Sequence, residues 1–209
     1  MTEYFKEKTL GLRHGIVKIL APGMYQDALK YNGGRPMDYF LKEYFGTFPL
    51  VGVEVGVWQG YHAKQILNLL NLNKLYLVDH YLPFAEGKIV YSTEQVERNF
   101  EIAKARVSNF NRVTFLKMDS VEATNEVPNE LDFVYIDANH TFKGVQADLE
   151  AWFPKIRVGG VFGGHDFSVD FQSVIRAVIN FAYKTDAKLY FKNPDWWIIK
   201  GEPNVEFFK

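Results

Sequence analysis

The sequence predicts an α/β fold in which a mostly parallel sheet is covered by helices on both faces. Strand-like and helix-like segments alternate five times between residues 50 and 183, and such alternation is typical of parallel strands joined by crossover helices. The chain then ends in two strand-like segments, Lys188–Lys192 and Trp196–Lys200. Because the connection between them is so short, they must pair as an antiparallel hairpin.

The chain is predicted to contain an N-terminal helical cap, residues 1–49, and one α/β domain, residues 50–209. Apolar residues at helical spacing predict a helix over Asp38–Phe45 and a second helix at Met24–Tyr31. A packing extension without a role at the ligand site is the alternative interpretation of residues 1–49.

A strand–turn–helix unit at residues 50–72 is the predicted centre of the ligand site. Its apolar strand gives way to Glu54, Gly56 and Gly60. Glycine permits a close approach of the backbone to a ligand, and the first N–H groups of the following helix are free to bind it. Trp58 occupies the position of the middle glycine of a dinucleotide fingerprint. The unit therefore predicts a nucleotide-like ligand without a pyrophosphate.

Each later parallel strand also ends at acidic residues. The predicted strands are 74–79, ending at Asp79; 112–120, ending at Asp119; 130–137, ending at Asp137; and 161–164, followed by His165 and Asp166. Asp79 follows Gly56 by about twenty residues, the spacing at which an acid meets ribose hydroxyls. A surface acid is the alternative for Asp79, and a cap for a helix at 121–126 is the alternative for Asp119.

Three further helices are predicted at 92–108, 142–153 and 169–183 from apolar residues at helical spacing. Ser92 and Gln95 form a capping box that begins the first of them. Residues 80–91 contain proline and glycine and are predicted to form a loop. In the last hairpin, the period of two predicts that one of Trp196 and Trp197 is buried and the other exposed.

The carboxyl ends of parallel strands meet at one edge of the sheet, where ligands bind in this fold class. Two neighbouring strands are expected to bring Asp137 and His140 close to His165 and Asp166. Carboxylate oxygens and imidazole nitrogens suit a divalent cation such as magnesium, manganese or zinc, which can acidify a bound hydroxyl. Alternatively, His140 or His165 is the general base, or the two aspartates only cap helices.

Two stretches resemble class I S-adenosylmethionine-dependent methyltransferases. Glu54-Val-Gly56-Val-Trp58-Gln-Gly60 is similar to their first motif, E/D-x-G-x-x-x-G. The segment 136–166 resembles the branch that includes macrocin-type sugar O-methyltransferases and cephalosporin hydroxylase-like proteins. The resemblance implies a three-layer, Rossmann-like, seven-stranded sheet of order 3-2-1-4-5-7-6 with an antiparallel C-terminal hairpin.

The resemblance also implies a cofactor and roles for the site residues. S-adenosylmethionine would be the methyl donor, with Glu54, Gly56 and Gly60 shaping the pocket of its methionine part, Asp79 at the ribose and Asp119 at the adenine. Trp58 and Asp137 would also belong to the cofactor-binding residues. Some members hold magnesium with acids at the positions of Asp137 and Asp166. Those members tend to carry a second acid at the position of His165, so magnesium, another metal and no metal all stay open. No asparagine-proline-proline-tyrosine signature follows the fourth strand, which favours methylation of oxygen over nitrogen.

Composition restricts the partners. The net charge of −1 gives no basic footprint for nucleic acid, and no apolar stretch is long enough to span a membrane. The chain has no cysteine, which excludes disulfides and thiolate metal sites. We expect a cytoplasmic enzyme acting on a small molecule or sugar, and the aromatic content of 16% makes a homodimer plausible.

Two other functions remain as alternatives at this point. An NAD-linked Rossmann oxidoreductase would have a complete glycine fingerprint and a parallel last strand, and the sequence has neither. A non-catalytic binding protein that retains the fold is compatible with every motif above.

Overall fold

The computed structural model describes residues 34–86 and 89–203. The predicted helix at Met24–Tyr31 and most of the predicted cap lie outside these residues. The helices and strands are, in order, α1 Pro36–Phe45, β1 Leu50–Val55, α2 Tyr61–Leu69, β2 Leu72–Val78, β3 Phe84–Glu86, β4 Ile89–Tyr91, α3 Thr93–Val107, β5 Val113–Leu116, α4 Ser120–Ala123, β6 Leu131–Ile136, α5 Phe142–Trp152, β7 Ile156–Gly164, α6 Gln172–Lys184, β8 Ala187–Lys192 and β9 Asp195–Pro203. No helix in the described part of the chain is both long enough and apolar enough to cross a lipid bilayer.

Seven strands form one sheet in the order β5-β2-β1-β6-β7-β9-β8. The first five in this order run parallel, and β9 is antiparallel to both β7 and β8. Strands β3 and β4 lie outside this sheet, and without them the order corresponds to the predicted 3-2-1-4-5-7-6. The predicted strand order and the antiparallel C-terminal hairpin are therefore confirmed. The direction of chain progression reverses between β1 and β6, so the crevice at their carboxyl ends is where this class of fold binds ligands.

The core consists of two clusters, one on each face of the sheet. On one face, α5 and α6 cover strand residues such as Val53 and Val134. On the other, α1 and α2 cover Phe133 and Tyr135. Because β1 and β6 contribute side chains to both clusters, they are buried on both faces, which explains why they read as nearly continuous apolar runs.

The predicted capping box is confirmed, and the predicted loop at 80–91 is wrong in part. The Ser92 side chain accepts a bond from the backbone of Gln95, whose side chain accepts one from the backbone of Ser92. Within 80–91, β3 and β4 form a small antiparallel hairpin. Phe84 stacks on Tyr91 across it with ring centroids 4.7 Å apart, and this cross-strand pair favours extended backbone in spite of the nearby proline and glycine.

The last parallel strand is longer than predicted. It begins at Ile156 rather than Val161 and includes Gly159, which has a φ of 75°. The register between β6 and β7 shifts in this part of the strand. Gly159 therefore marks an irregularity inside the strand.

The prediction for the two tryptophans of the last hairpin is wrong, because both are buried. Trp196 is 1% exposed and Trp197 is 8% exposed. Trp197 stacks against Phe40 of α1 with ring centroids 5.0 Å apart. Helix α1 thus covers the sheet face on which an exposed tryptophan was expected.

Candidate active site

The turn that joins β1 to α2, residues 56–60, is called the glycine turn below. Gly56 has a φ of 89°, and a Cβ on it would lie 2.0 Å from the carbonyl oxygen of Asp137. Only glycine fits such a close approach of two backbones. The backbone N–H groups of Val57 and Trp58 donate to Asp79 Oδ2 over 3.0 and 2.9 Å. Asp79 therefore fixes the glycine turn from the end of β2.

Tyr81 supports the same turn from the other side and was not singled out in the sequence. Its hydroxyl donates to the carbonyl of Trp58 over 2.8 Å, and its backbone N–H donates to Asp79 Oδ1 over 3.0 Å. Burial, with the charges of Asp79 and Glu54, raises the pKa of the Tyr81 hydroxyl, which therefore stays a donor. Trp58 and Tyr81 both have positive φ, 52° and 48°, which is unusual for aromatic residues and is maintained here by these bonds.

The residues predicted around the turn occupy different surroundings. Asp79 Oδ2 accepts two backbone bonds and Oδ1 accepts one, which leaves an acceptor position on Oδ1 for a ribose hydroxyl. The ring of Trp58 packs edge-on against Tyr91 of the β3–β4 hairpin at 5.0 Å. Gly60 has a φ of 70° and begins α2 without a side chain, which leaves its first N–H groups open to a ligand. Asp119 caps α4 through Oδ1, which accepts from the two backbone N–H groups that follow Ser120.

The residues predicted to face the substrate come together and are called the Asp–His cluster: Asp137, His140, His165 and Asp166. Asp166 Oδ2 lies 2.7 Å from His140 Nε2, and its Oδ1 lies 2.8 Å from His165 Nδ1. Asp137 Oδ1 lies 3.7 Å from each of these two nitrogens. Single ligand atoms of Asp137, His140 and Asp166 lie within 4.8 Å of one another, so the donor set and its spacing fit a divalent cation.

Backbone contacts between strand ends explain why the cluster forms. The N–H of Asp137 donates to Val55 over 2.7 Å, and the N–H of His165 donates to Ile136 over 2.9 Å. Asp166 has a φ of 60°, a conformation that aspartate tolerates better than most residues. It turns the chain so that His165 and Asp166 both face the end of β6.

Helix capping does not explain Asp137, because Thr141 caps α5 by accepting from the N–H of Gly144 over 3.1 Å. His80 is not part of the cluster. Its Nδ1 accepts from the N–H of Leu82 over 2.9 Å, and its ring lies against Phe84 of the hairpin.

Glu54 lies beneath the site in a network called the buried triad: Asp38, His62 and Glu54. His62 Nδ1 lies 2.9 Å from Glu54 Oε1, and its Nε2 lies 3.1 Å from both oxygens of Asp38. Burial lowers the pKa of His62, but the two carboxylates outweigh it and raise this pKa to about 10. The ring is therefore an imidazolium at neutral pH. Burial raises the pKa of Glu54 against the opposing effect of His62. Neither His62 nor Asp38 was among the predicted site residues.

A second buried acid, Asp148, lies behind α4. Asp148 is 4% exposed and is hydrogen-bonded to Ser120, which also accepts from the indole of Trp152 over 2.9 Å. Burial raises the pKa of Asp148 to about 6, and Asp119 adds to the effect while Ser120 opposes it. The folded protein therefore disfavours the ionised carboxylate of Asp148. The resulting loss of folding stability grows as the pH rises from about 4 to about 6.

Asp148→Asn is expected to stabilise the protein at about pH 7.5 by on the order of 2 kcal/mol and to leave stability at about pH 4 unchanged. Denaturant unfolding at both pH values tests this. Glu150→Gln, a change at an exposed acid of the same helix, is the control and should have little effect at either pH. Equal stability of wild type and Asp148→Asn at pH 7.5 would contradict the assigned penalty.

The sheet order, the glycine turn and the acids at the strand ends define a class I S-adenosylmethionine-dependent methyltransferase. A family model described as a methyltransferase domain matches residues 53–167, more than half of the chain, and the chain belongs to this family. No curated protein sequence matches the chain.

Solved structures share the fold at low sequence identity. The O-methyltransferase NovP is 16% identical with a TM-score of 0.58, over 79% of this chain and 80% of NovP. CalS11, a TDP-rhamnose 3′-O-methyltransferase of calicheamicin biosynthesis, is 14% identical with a TM-score of 0.58, over 94% and 95% of the two chains. A putative methyltransferase from Streptococcus mutans in complex with SAH is 12% identical with a TM-score of 0.57, over 78% of this chain and 96% of that one.

Proposed function

We propose that the protein transfers the methyl group of S-adenosylmethionine to a hydroxyl oxygen of a small molecule or sugar. The observation that carries the proposal is the contact between the two halves of the site: the backbone of Asp137, in the Asp–His cluster, lies directly against Gly56 of the glycine turn. A donor seated on the turn would therefore present its methyl group beside the cluster. The fold shared with NovP and CalS11, both O-methyltransferases, supports the choice of oxygen.

The donor half is assigned to the residues around the glycine turn. Glu54, Gly56, Trp58 and Gly60 would shape the methionine pocket, with Asp137 at its border. The remaining acceptor position of Asp79 Oδ1 would accept a ribose hydroxyl. Asp119 would lie at the adenine, since its Oδ1 makes the cap of α4 and its second oxygen can accept from the adenine amino group.

The acceptor half is assigned to the Asp–His cluster. The hydroxyl oxygen attacks the methyl carbon, the carbon–sulfur bond breaks with its electrons remaining on sulfur, and the hydroxyl proton must go to a base. His140 and His165 each contact Asp166, which orients the imidazole and stabilises its protonated form. The transfer needs no protein nucleophile, and the remaining task of the chain is to align oxygen, carbon and sulfur.

A divalent cation is the alternative to a histidine base. Asp137, His165 and Asp166 would hold it, together with His140. The two imidazoles among these ligands favour a borderline metal such as zinc over magnesium, while the two carboxylates also suit manganese. When bound, such an ion would make an adjacent hydroxyl more acidic.

Calorimetry and a turnover assay test the function together. S-adenosylhomocysteine should bind and NAD should not, and labelled S-adenosylmethionine should transfer its methyl group to a member of a panel of hydroxylated sugars and small molecules. Loss of turnover on chelation, restored by zinc or manganese, would favour the metal route, while unchanged turnover would favour the histidine base. Binding of NAD, or methylation restricted to amines, would contradict the proposal.

A further inference from the structure

One carboxylate oxygen of the buried triad has no hydrogen-bond partner among the residues that the structure describes. Glu54 is 1% exposed, and its Oε1 is bonded to His62. Its Oε2 is also buried, yet no donor in the described ranges 34–86 and 89–203 reaches it. A buried carboxylate oxygen without a hydrogen bond is costly. Such an atom at the end of β1, two residues before Gly56, points to a group that arrives with the ligand.

The charge of the surroundings indicates what kind of group this is. The triad places two acidic side chains around a single imidazole. Asp137 adds to the negative potential, since its charge raises the pKa of Glu54 further. The charge of Asp38 acts on Glu54 in the same direction, whereas His62 opposes both acids and lowers this pKa. The partner that Oε2 lacks is a hydrogen-bond donor, and a cationic donor is favoured because two further acids, Asp38 and Asp137, act on Glu54.

S-adenosylmethionine carries such cations in its amino-acid half, the sulfonium and the α-ammonium group. We propose that Asp38 and His62 are positioning residues for this half of the donor: they hold the Glu54 carboxylate so that Oε2 receives the α-ammonium group, directly or through one water. The inference rests on the proposed function and adds two residues to it that do not touch the donor themselves.

The triad also connects the donor pocket to helix α1. Asp38 lies in the first turn of α1. The neighbouring N–H of Met37 donates to Asp195 Oδ2 over 3.0 Å, while Asp195 Oδ1 accepts from the hydroxyl of Tyr135 over 2.8 Å. The ring of Tyr135 in turn lies 4.2 Å from that of His62. The contacts that seat the start of α1 are therefore continuous with those that orient Glu54.

Two ligands separate this role from a merely structural one. S-adenosylhomocysteine has the α-ammonium group, and 5′-methylthioadenosine has the same nucleoside and sulfur but no amino-acid part. By calorimetry, Asp38→Asn and His62→Gln should each weaken S-adenosylhomocysteine binding by about tenfold or more. Both should leave the affinity for 5′-methylthioadenosine within about twofold of wild type. Asp38→Asn keeps the shape of the side chain and serves if His62→Gln does not fold.

Asp132→Asn is the matched control. Asp132 is also buried and paired with a cation, Arg157, over 2.8 Å, but it lies at the start of β6, at the opposite edge of the sheet. The Asp132→Asn variant should be less stable than wild type but should bind S-adenosylhomocysteine and 5′-methylthioadenosine with unchanged affinity. If the triad variants lose both ligands equally, the positioning role is wrong although the proposed function stands. If wild type binds neither ligand, both are overturned.

Discussion

Asp166→Ala and His165→Ala are expected to reduce methyl transfer by about a hundredfold or more while leaving donor affinity nearly unchanged. Asp166 bridges both histidines of the cluster, through Oδ2 to His140 and through Oδ1 to His165. Its removal therefore disorders either candidate base and takes one ligand from either candidate metal site. Because the cluster faces the acceptor in this account, the donor should still bind.

Single-turnover kinetics at saturating donor measure the first effect, and calorimetry with S-adenosylhomocysteine measures the second. Ser168→Ala is the control, because only the backbone of Ser168 bonds to Asp166, and it should retain both turnover and donor binding. A strong loss of S-adenosylhomocysteine affinity in Asp166→Ala or His165→Ala would show that these residues belong to the donor side.

Gly56→Ala is expected to cost several kcal/mol of unfolding free energy, about 2 kcal/mol or more beyond Gly46→Ala. Both glycines have positive φ, 89° and 57°, so both substitutions carry the strain of a left-handed residue, about 1 kcal/mol. At Gly56 the new Cβ would meet another backbone, the carbonyl oxygen of Asp137 at 2.0 Å. At Gly46 no atom of the described residues, apart from the adjoining ones in the chain, lies within 4 Å of the new Cβ.

Denaturant unfolding of the two variants measures the difference, and calorimetry with S-adenosylhomocysteine on whatever folds measures the effect on the pocket. Gly46→Ala should bind the ligand like wild type, and Gly56→Ala should not. Equal stability of the two variants, together with intact binding by Gly56→Ala, would mean that the contact between the glycine turn and Asp137 is not needed.

The edge of the sheet that carries the site could be predicted from local signals, whereas the strand order was implied by the resemblance to the methyltransferase family. Apolar runs that end in acids mark the carboxyl ends of β1, β2 and β6, and parallel strands place such ends together. The same logic predicted the meeting of His140 with Asp166. Neither inference requires knowledge of how side chains far apart in the sequence pack.

The buried triad could have been predicted in part. Asp38 is three residues from Leu41, and His62 is four residues from Ile66, so both lie on the apolar face of their helices. Glu54 lies in a strand buried on both faces. Three ionisable groups on buried faces require partners, but their pairing depends on how α1 sits on the sheet, which no local pattern encodes.

Other misses have the same cause. Trp197 is covered by Phe40, a contact between the two ends of the described chain. The positive φ of Trp58 and Tyr81 depends on bonds to Asp79 and to each other. The strands β3 and β4 have three residues each, too few for a period of two to be recognised.

A crystal structure with S-adenosylhomocysteine would show whether the donor and the Asp–His cluster meet as proposed. We expect the ligand to lie over the glycine turn, with its ribose at Asp79 and its adenine near Asp119. Its sulfur should face the Asp–His cluster, and its α-ammonium group should lie on the side of Glu54. A ligand bound at another edge of the sheet, or one whose sulfur points away from Asp166, would contradict the proposed function.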